Sequence, residues 1–185
     1  CSTFDSTAEG NIGPVTDALL AELNEDFTIV CPALPVNGRT VYNGHLFVFQ
    51  DLLSDSGMRN HPVTPMTDSS LIRMMDAQSQ GSSGLVNFQV IEQGSQAVSE
   101  RFETLKQQGV RYAVVDAFNA DHLVTLGQAA KSLKLVTGGS GLAAGIAKNW
   151  AEHLADQSDA KKAGNPTKAP TVVFSGSCSV TVSYT

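Results

Sequence analysis

The chain has 185 residues, of which 42% are hydrophobic and 16% are charged, a composition typical of one well-packed domain. Its net charge of -6 argues against a nucleic-acid or anionic-membrane partner. No apolar run approaches the roughly 20 residues that a membrane-spanning helix needs, and the first ten residues lack the charged and apolar regions of a signal peptide. The expected compartment is therefore the cytoplasm.

Periodicity of the apolar residues predicts helices and strands in alternation. In chain order it predicts a helix over 11–25, a strand over 27–31, an irregular stretch over 32–47, a second irregular stretch over 57–68, a helix over 69–78 with Asp68 as its N-cap, a strand over 85–91, a helix near 94–108, a strand over 111–116, a helix over 121–132, a strand over 133–137 and a helix over 142–155.

This order of elements predicts an α/β fold with a mostly parallel, Rossmann-like sheet and flanking helices. The polar segment 156–170 contains two prolines and almost no large apolar side chain, so we expect a linker there. The strand that follows, within 171–185, would begin a second domain, and residues 1–155 would form the first. Cys31 and Cys178 lie in or beside predicted strands and are expected to be small buried hydrophobic residues.

Residues capable of chemistry follow the predicted strands. Because the carboxyl ends of parallel strands face one crevice, we expect Arg39, Asp116 and the turns at 138–141 and 175–179 to surround one small anionic ligand. No Walker A, G-x-S-x-G or H-x-x-x-H pattern occurs, so the usual signatures of P-loop enzymes, α/β-hydrolases and zinc hydrolases are missing.

The turn formed by Gly138, Gly139, Ser140 and Gly141 joins a predicted strand to a predicted helix. Backbone N–H groups at such a place can hold a phosphate or a carboxylate, but a tight turn without a ligand would have the same sequence. Gly139, Gly141 and Ala144 also match G-x-G-x-x-A, which leaves a nicotinamide-dependent dehydrogenase of small acids open. Against it, the next predicted strand does not end in the acidic residue that binds the ribose.

Other polar clusters each have two interpretations. Residues 1–7 carry four hydroxyl side chains and one carboxylate, which suit a polyol or cap the following helix. Arg39 suits a substrate carboxylate or phosphate, or is a surface arginine. His61 is a ligand contact or a loop histidine without a role, and the serines of 175–179 suit nucleotide phosphates or form an ordinary turn.

Several blocks together resemble the four-carbon acid sugar kinase family, and within it the bacterial subgroup that acts on 3-oxo-tetronate. They include C-S-T-F-D-S-T at 1–7, V-T-G-G-S-G-L-A at 136–143 and S-G-S-C-S at 175–179; further blocks cover 32–48, 56–68 and 112–117. The family consists of two-domain, ATP-dependent enzymes. Their amino-terminal domain binds the sugar acid and their carboxyl-terminal domain binds ATP.

The resemblance implies a role for each matching residue, with ATP and Mg²⁺ as cofactors and no metal ligand assigned. Asp5 would be the catalytic acid within this sequence. Ser2, Thr3, Ser6, Arg39 and His61 would bind the sugar acid, while Gly138, Gly139, Ser140, Gly141, Ser177 and Ser179 would contact the transferred phosphate or ATP. The implied partners are a small sugar acid and ATP, and a homodimer is left open.

Compared with the family pattern, the sequence is expected to be a fragment. It lacks an opening segment with an A-D-D-F-T-G-like motif, whose aspartates are better candidates for the catalytic base than Asp5, and it lacks most of the ATP domain. The chain alone is therefore expected to be inactive as a kinase. A non-catalytic module that binds sugar acids is the third hypothesis.

Overall fold

Strands and helices alternate in residues 10–62 and 64–151, which are the residues that the computed structural model describes. The helices are α1 (Ile12–Leu23), α2 (Leu71–Gln78), α3 (Phe88–Glu92), α4 (Ser95–Gln107), α5 (Ala120–Ala129) and α6 (Ser140–Ala151). The strands are β1 (Thr28–Cys31), β2 (Arg39–Tyr42), β3 (His45–Val48), β4 (Asp51–Leu52), β5 (Ser82–Val86), β6 (Val110–Val115) and β7 (Thr137–Gly138). Short 3₁₀ helices cover Pro35–Asn37, Leu53–Asp55, Gly57–Asn60 and Ala130–Ser132.

The main sheet is parallel and has the strand order β5-β6-β1-β7. Its central strand, β1, pairs Thr28 with Tyr112 on one side and Val30 with Thr137 on the other. All four residues of β1 are buried, as expected for a parallel strand covered on both faces. The predicted α/β class and parallel sheet are confirmed.

A second, antiparallel sheet contains β2, β3 and β4, and its first two strands lie almost entirely in the stretch 32–47 that the sequence had predicted to be irregular. That prediction was wrong because the turn signal at Asn43 and Gly44 closes a β-hairpin. Both residues have positive φ, 47° and 71°, as a type I′ hairpin turn requires. Val41 of the hairpin also pairs with Ala117, so the hairpin lies across the carboxyl end of β6.

Three other element boundaries differ from those predicted. The strand expected over 85–91 is β5 followed by α3, because the Asn87 side chain accepts a bond from the Val90 N–H and begins a helix. Ser70 caps α2 in place of Asp68, whose carboxylate instead accepts from the Ser70 N–H and pairs with Arg73. The strand expected over 133–137 is reduced to Thr137–Gly138.

Helices α5 and α6 cross at very short distance. A Cβ at Gly145 would lie 2.1 Å from the Leu123 carbonyl oxygen, so only glycine permits this approach. The Asn149 side chain, one turn later, is buried and donates to the carbonyls of Val124 and Gly145, at 2.8 and 2.9 Å. These contacts hold α6, and with it the turn that precedes α6, against α5.

Cys31 lies at the end of β1 and is fully buried, as predicted, and its burial raises the pKa of the thiol to about 12. The prediction for Cys178 falls outside the described residues. No helix in the described ranges has the length and apolar character needed to cross a bilayer.

Candidate functional site

The glycine turn, residues 138–141, lies at the carboxyl end of β7 beside the end of β1. Gly139 donates its N–H to the Cys31 carbonyl at 3.2 Å, and α6 begins at Ser140. Gly138 and Ser140 are exposed. The turn therefore presents the amino-terminal end of a 12-residue helix to solvent, where its dipole and unpaired N–H groups favour an anion.

Two glycines of this turn differ in the room around them. A Cβ at Gly141 would lie 2.2 Å from the Ala33 carbonyl oxygen, so this glycine is needed for contact with the chain after β1. A Cβ at Gly139 would meet only the Pro32 carbonyl oxygen, at 3.8 Å. Gly141 thus serves packing, and Gly139 is the position where a side chain would project with little internal conflict.

Arg39 and the glycine turn both contact the chain segment that follows β1. Its backbone pairs with Leu34 through two hydrogen bonds of 2.9 and 3.1 Å, while Gly139 and Gly141 lie against Pro32 and Ala33. Its Nη1 donates to the Asn37 carbonyl at 2.9 Å, and the residue is half-buried. The segment 32–34 therefore links the predicted carboxylate-binding arginine to the predicted phosphate-binding turn.

His61 follows the 3₁₀ helix Gly57–Asn60 and is half-buried. Its Nδ1 accepts the Thr64 N–H at 3.1 Å and lies 3.1 Å from the Thr64 hydroxyl. This local bond fixes the ring within its own loop. The remaining predicted site residues, Ser2, Thr3, Asp5, Ser6, Ser177 and Ser179, lie outside the described residues.

Asp116 does not line a ligand crevice, contrary to the expectation from its place after β6. Its carboxylate is fully buried and accepts three backbone N–H groups at 2.9 Å, those of Asn43, Gly44 and Phe88. Burial raises the pKa of this carboxyl group, and the three hydrogen bonds act in the opposite direction. Asp116 therefore ties the β2–β3 hairpin and the start of α3 to the sheet.

An aromatic cluster beside Asp116 was not predicted from the sequence. Tyr42 stacks on Phe88 with ring centroids 4.9 Å apart, and Phe118 contacts both rings. His122 packs edge-on against Phe118 at 4.4 Å. The four residues come from four elements or connections, so no local periodicity could have grouped them. With the hairpin, they lie on the β6 side of the carboxyl edge, whereas the glycine turn lies beside β1.

Comparison with known proteins identifies this arrangement. The model of the family described as "Sugar-binding N-terminal domain" matches residues 1–146. The chain belongs to this family. The 3-oxo-tetronate kinase of Pectobacterium atrosepticum is 61% identical over 180 residues, which are 97% of this chain and 42% of that protein. The predicted resemblance to sugar-acid kinases is thereby confirmed.

Two crystal structures share the fold of this sugar-binding domain. A Haemophilus influenzae protein is 58% identical, with a TM-score of 0.83 over 97% of this chain and 43% of its own. A Bordetella bronchiseptica protein is 29% identical, with a TM-score of 0.65 over 82% of this chain and 37% of its own, and its structure is a domain-swapped dimer with bound citrate. The chain thus spans less than half the length of these relatives.

Within residues 10–62 and 64–151, no three His, Cys, Asp or Glu side chains come together in a group that could hold a metal ion.

His122 should make the stability of the sugar-binding domain depend on pH. Its side chain is 5% exposed, its Nδ1 has no hydrogen-bond partner among the described residues, and burial lowers its pKa below the ordinary 6.5, although Glu92, Asp116 and Asp121 oppose this. The unfolded chain then binds the proton more readily, so stability is full above pH 6.5 and is lost as the pH falls toward the folded-state pKa.

Urea unfolding at pH 7.5 and pH 5.5 measures this dependence. We expect His122→Gln to lose a smaller share of its stability on acidification than the unsubstituted protein does. His45→Gln, outside the aromatic cluster, controls for the removal of one imidazole and should retain the full difference. An equal acid response in the His122 variant would show that other groups cause it.

Proposed function

We propose that this chain is the sugar-acid-binding part of an ATP-dependent kinase. The kinase would phosphorylate the terminal hydroxyl of a four-carbon sugar acid, converting 3-oxo-tetronate to 3-oxo-tetronate 4-phosphate in the cytoplasm. The observation that carries the proposal is the 61% identity to a 3-oxo-tetronate kinase across 97% of this chain. The contacts of both Arg39 and the glycine turn with one segment, 32–34, support it independently.

Arg39 is proposed to bind the carboxylate of the sugar acid. A guanidinium matches a carboxylate with two parallel N–H donors, and the Nη1 donation to the Asn37 carbonyl orients the Arg39 side chain. The citrate in the Bordetella bronchiseptica relative agrees with a family that binds hydroxylated carboxylates. His61 is proposed as the second carboxylate contact, with Ser2, Thr3 and Ser6 binding the hydroxyl groups.

The glycine turn is proposed to face the phosphate that is transferred. Phosphoryl transfer depends on positioning and on stabilising charge at the transferred group, and the start of α6 supplies N–H donors at a fixed place. Asp5 is proposed to orient the attacking hydroxyl, and Ser177 and Ser179 to contact ATP. ATP would supply the phosphoryl group, and Mg²⁺ would be the second cofactor of the complete kinase.

The domain division follows from the same proposal. Residues 1–155 would form the sugar-acid domain, 156–170 the linker, and 171–185 the beginning of the ATP domain. The domain-swapped dimer of the Bordetella bronchiseptica relative makes a homodimer the assembly to test first.

Calorimetric titration with threonate, a stable four-carbon sugar acid, tests the proposal. Arg39→Ala should weaken binding at least tenfold, because a carboxylate loses its charged, forked partner. Arg101→Ala is the control, since Arg101 also donates to a backbone carbonyl, that of Leu85, but lies on α4. Equal affinity in the two variants would refute a carboxylate site at Arg39.

A further inference from the structure

A cavity of about 300 Å³ lies at the amino-terminal edge of the main sheet, opposite the candidate site. It is lined by residues that precede or begin three adjacent strands: Asp26 before β1, Gln80 and Gly81 before β5, and Arg111 in β6. Lys106 and Gly109, from the end of α4 and the connection to β6, complete it. The volume is at the lower end of the range for small-molecule sites.

Arg111 is the unexplained group in this cavity. Its Nε atom is buried, yet within the described residues it has no hydrogen-bond acceptor. Buried donors nearly always have a partner, and a charged one is the costliest to leave without. Gly81 lies directly against this side chain, since a Cβ there would be 2.8 Å from the Cβ and Cδ of Arg111. The half-buried Arg111 side chain thus lies against Gly81 at the wall of the cavity.

The other side chains that line the cavity define which kind of ligand would fit it. Lys106 adds a second positive charge, held by Glu103 at 2.7 Å and lying 5.1 Å from the centre of the Phe27 ring. Asp26 and the Gln80 side chain are exposed at the cavity and offer oxygen acceptors for hydroxyl groups. Two cations, one carboxylate and one amide in a small cavity match a ligand that carries an anionic group at one end and hydroxyls at the other.

The geometry points to a second binding site here, for a small hydroxylated anion with a phosphate or carboxylate group. Arg111 and Lys106 supply positive charge to the anionic group, and Asp26 and Gln80 accept from the hydroxyls. Because parallel strands place their two ends at opposite edges of the sheet, this site is separate from the glycine turn. The proposal of this second site does not depend on the kinase proposal.

Amide chemical shifts of the whole chain, titrated with glycerol 3-phosphate and in a second series with malate, test the site. We expect saturable shifts at Gly81, Gly109 and Arg111 with at least one probe, and the stronger series identifies the anionic group. Arg111→Gln should weaken binding at least tenfold, whereas Lys148→Gln, on the exposed side of α6, should not change it. If Arg111→Gln fails to fold, Arg111→Lys and Lys106→Gln carry the same expectation of weaker binding.

Three outcomes would overturn the proposal. They are the absence of saturable shifts with both probes, binding that Arg111→Gln leaves unchanged, or shifts confined to Arg39 and residues 138–141. The last outcome would mean that the probes bind only at the candidate site. Arg39→Ala should leave binding at the amino-terminal edge unchanged, so this test and the threonate titration can fail separately.

Discussion

Replacing Asp116 with alanine should lower the free energy of unfolding by about 3–5 kcal/mol, because three backbone N–H groups lose their acceptor together. The loss is not confined to one element. The hairpin turn at Asn43 and Gly44 and the start of α3 at Phe88 both depend on this carboxylate. Urea unfolding followed by circular dichroism measures the change.

Asp116→Asn tests whether oxygen acceptors are what matters. The side chain keeps its size, but an NH₂ group would face an N–H donor, so most of the loss should remain. Asp51→Asn, an exposed carboxylate of β4, should change stability by less than about 0.5 kcal/mol. If the Asp116 variants had the same free energy of unfolding as the Asp51 variant, the Asp116 carboxylate would not stabilise the hairpin and α3 as its contacts indicate.

Exchanging Gly145 for alanine should cost about 3 kcal/mol of stability, the opposite of the usual effect of this exchange in a helix. Alanine normally stabilises a helix interior by about 1 kcal/mol relative to glycine. Here the new methyl group would lie 2.1 Å from the Leu123 carbonyl, so α5 and α6 must move apart. The hydrogen bond from Asn149 to the Val124 carbonyl of α5 would be strained by the same movement.

Gly139→Ala is the control for this exchange, since the nearest atom to its Cβ would be 3.8 Å away. Its unfolding free energy should change by less than about 1 kcal/mol. Thermal unfolding of the two variants compares them directly. A stabilised Gly145 variant would mean that the helices do not cross as closely as described.

Elements with a strong apolar pattern were predictable from the sequence. Helix α4 places Val98, Phe102 and Leu105 on one buried face, and β6 is apolar over most of its length, so their existence and type followed from periodicity. The parallel order followed from the alternation of these elements. The turn at 138–141 was predicted by its glycines between a strand and a helix.

The features of the fold and of the candidate site that were not predicted depend on contacts between residues distant in the sequence. In the sequence, a carboxylate after β6 that binds a ligand cannot be distinguished from one that accepts backbone hydrogen bonds. Two of the donors to Asp116 lie in a turn about 70 residues earlier. The apolar run at 85–91 fits a strand or a helix equally well, and only the cap at Asn87 decides. The hairpin was missed because its turn signals also occur in irregular loops.

The central place of β1 in the sheet also has a consequence during synthesis on the ribosome. Thr28 pairs with Tyr112, so the strand emerges about 80 residues before its partner in β6. At 5–20 residues per second, this interval lasts roughly 4–16 seconds. During that time an apolar segment that is fully buried in the finished protein has no neighbouring strand. Pauses in translation between residues 32 and 110 would prolong this exposure, and with it the time available for chaperone binding or aggregation.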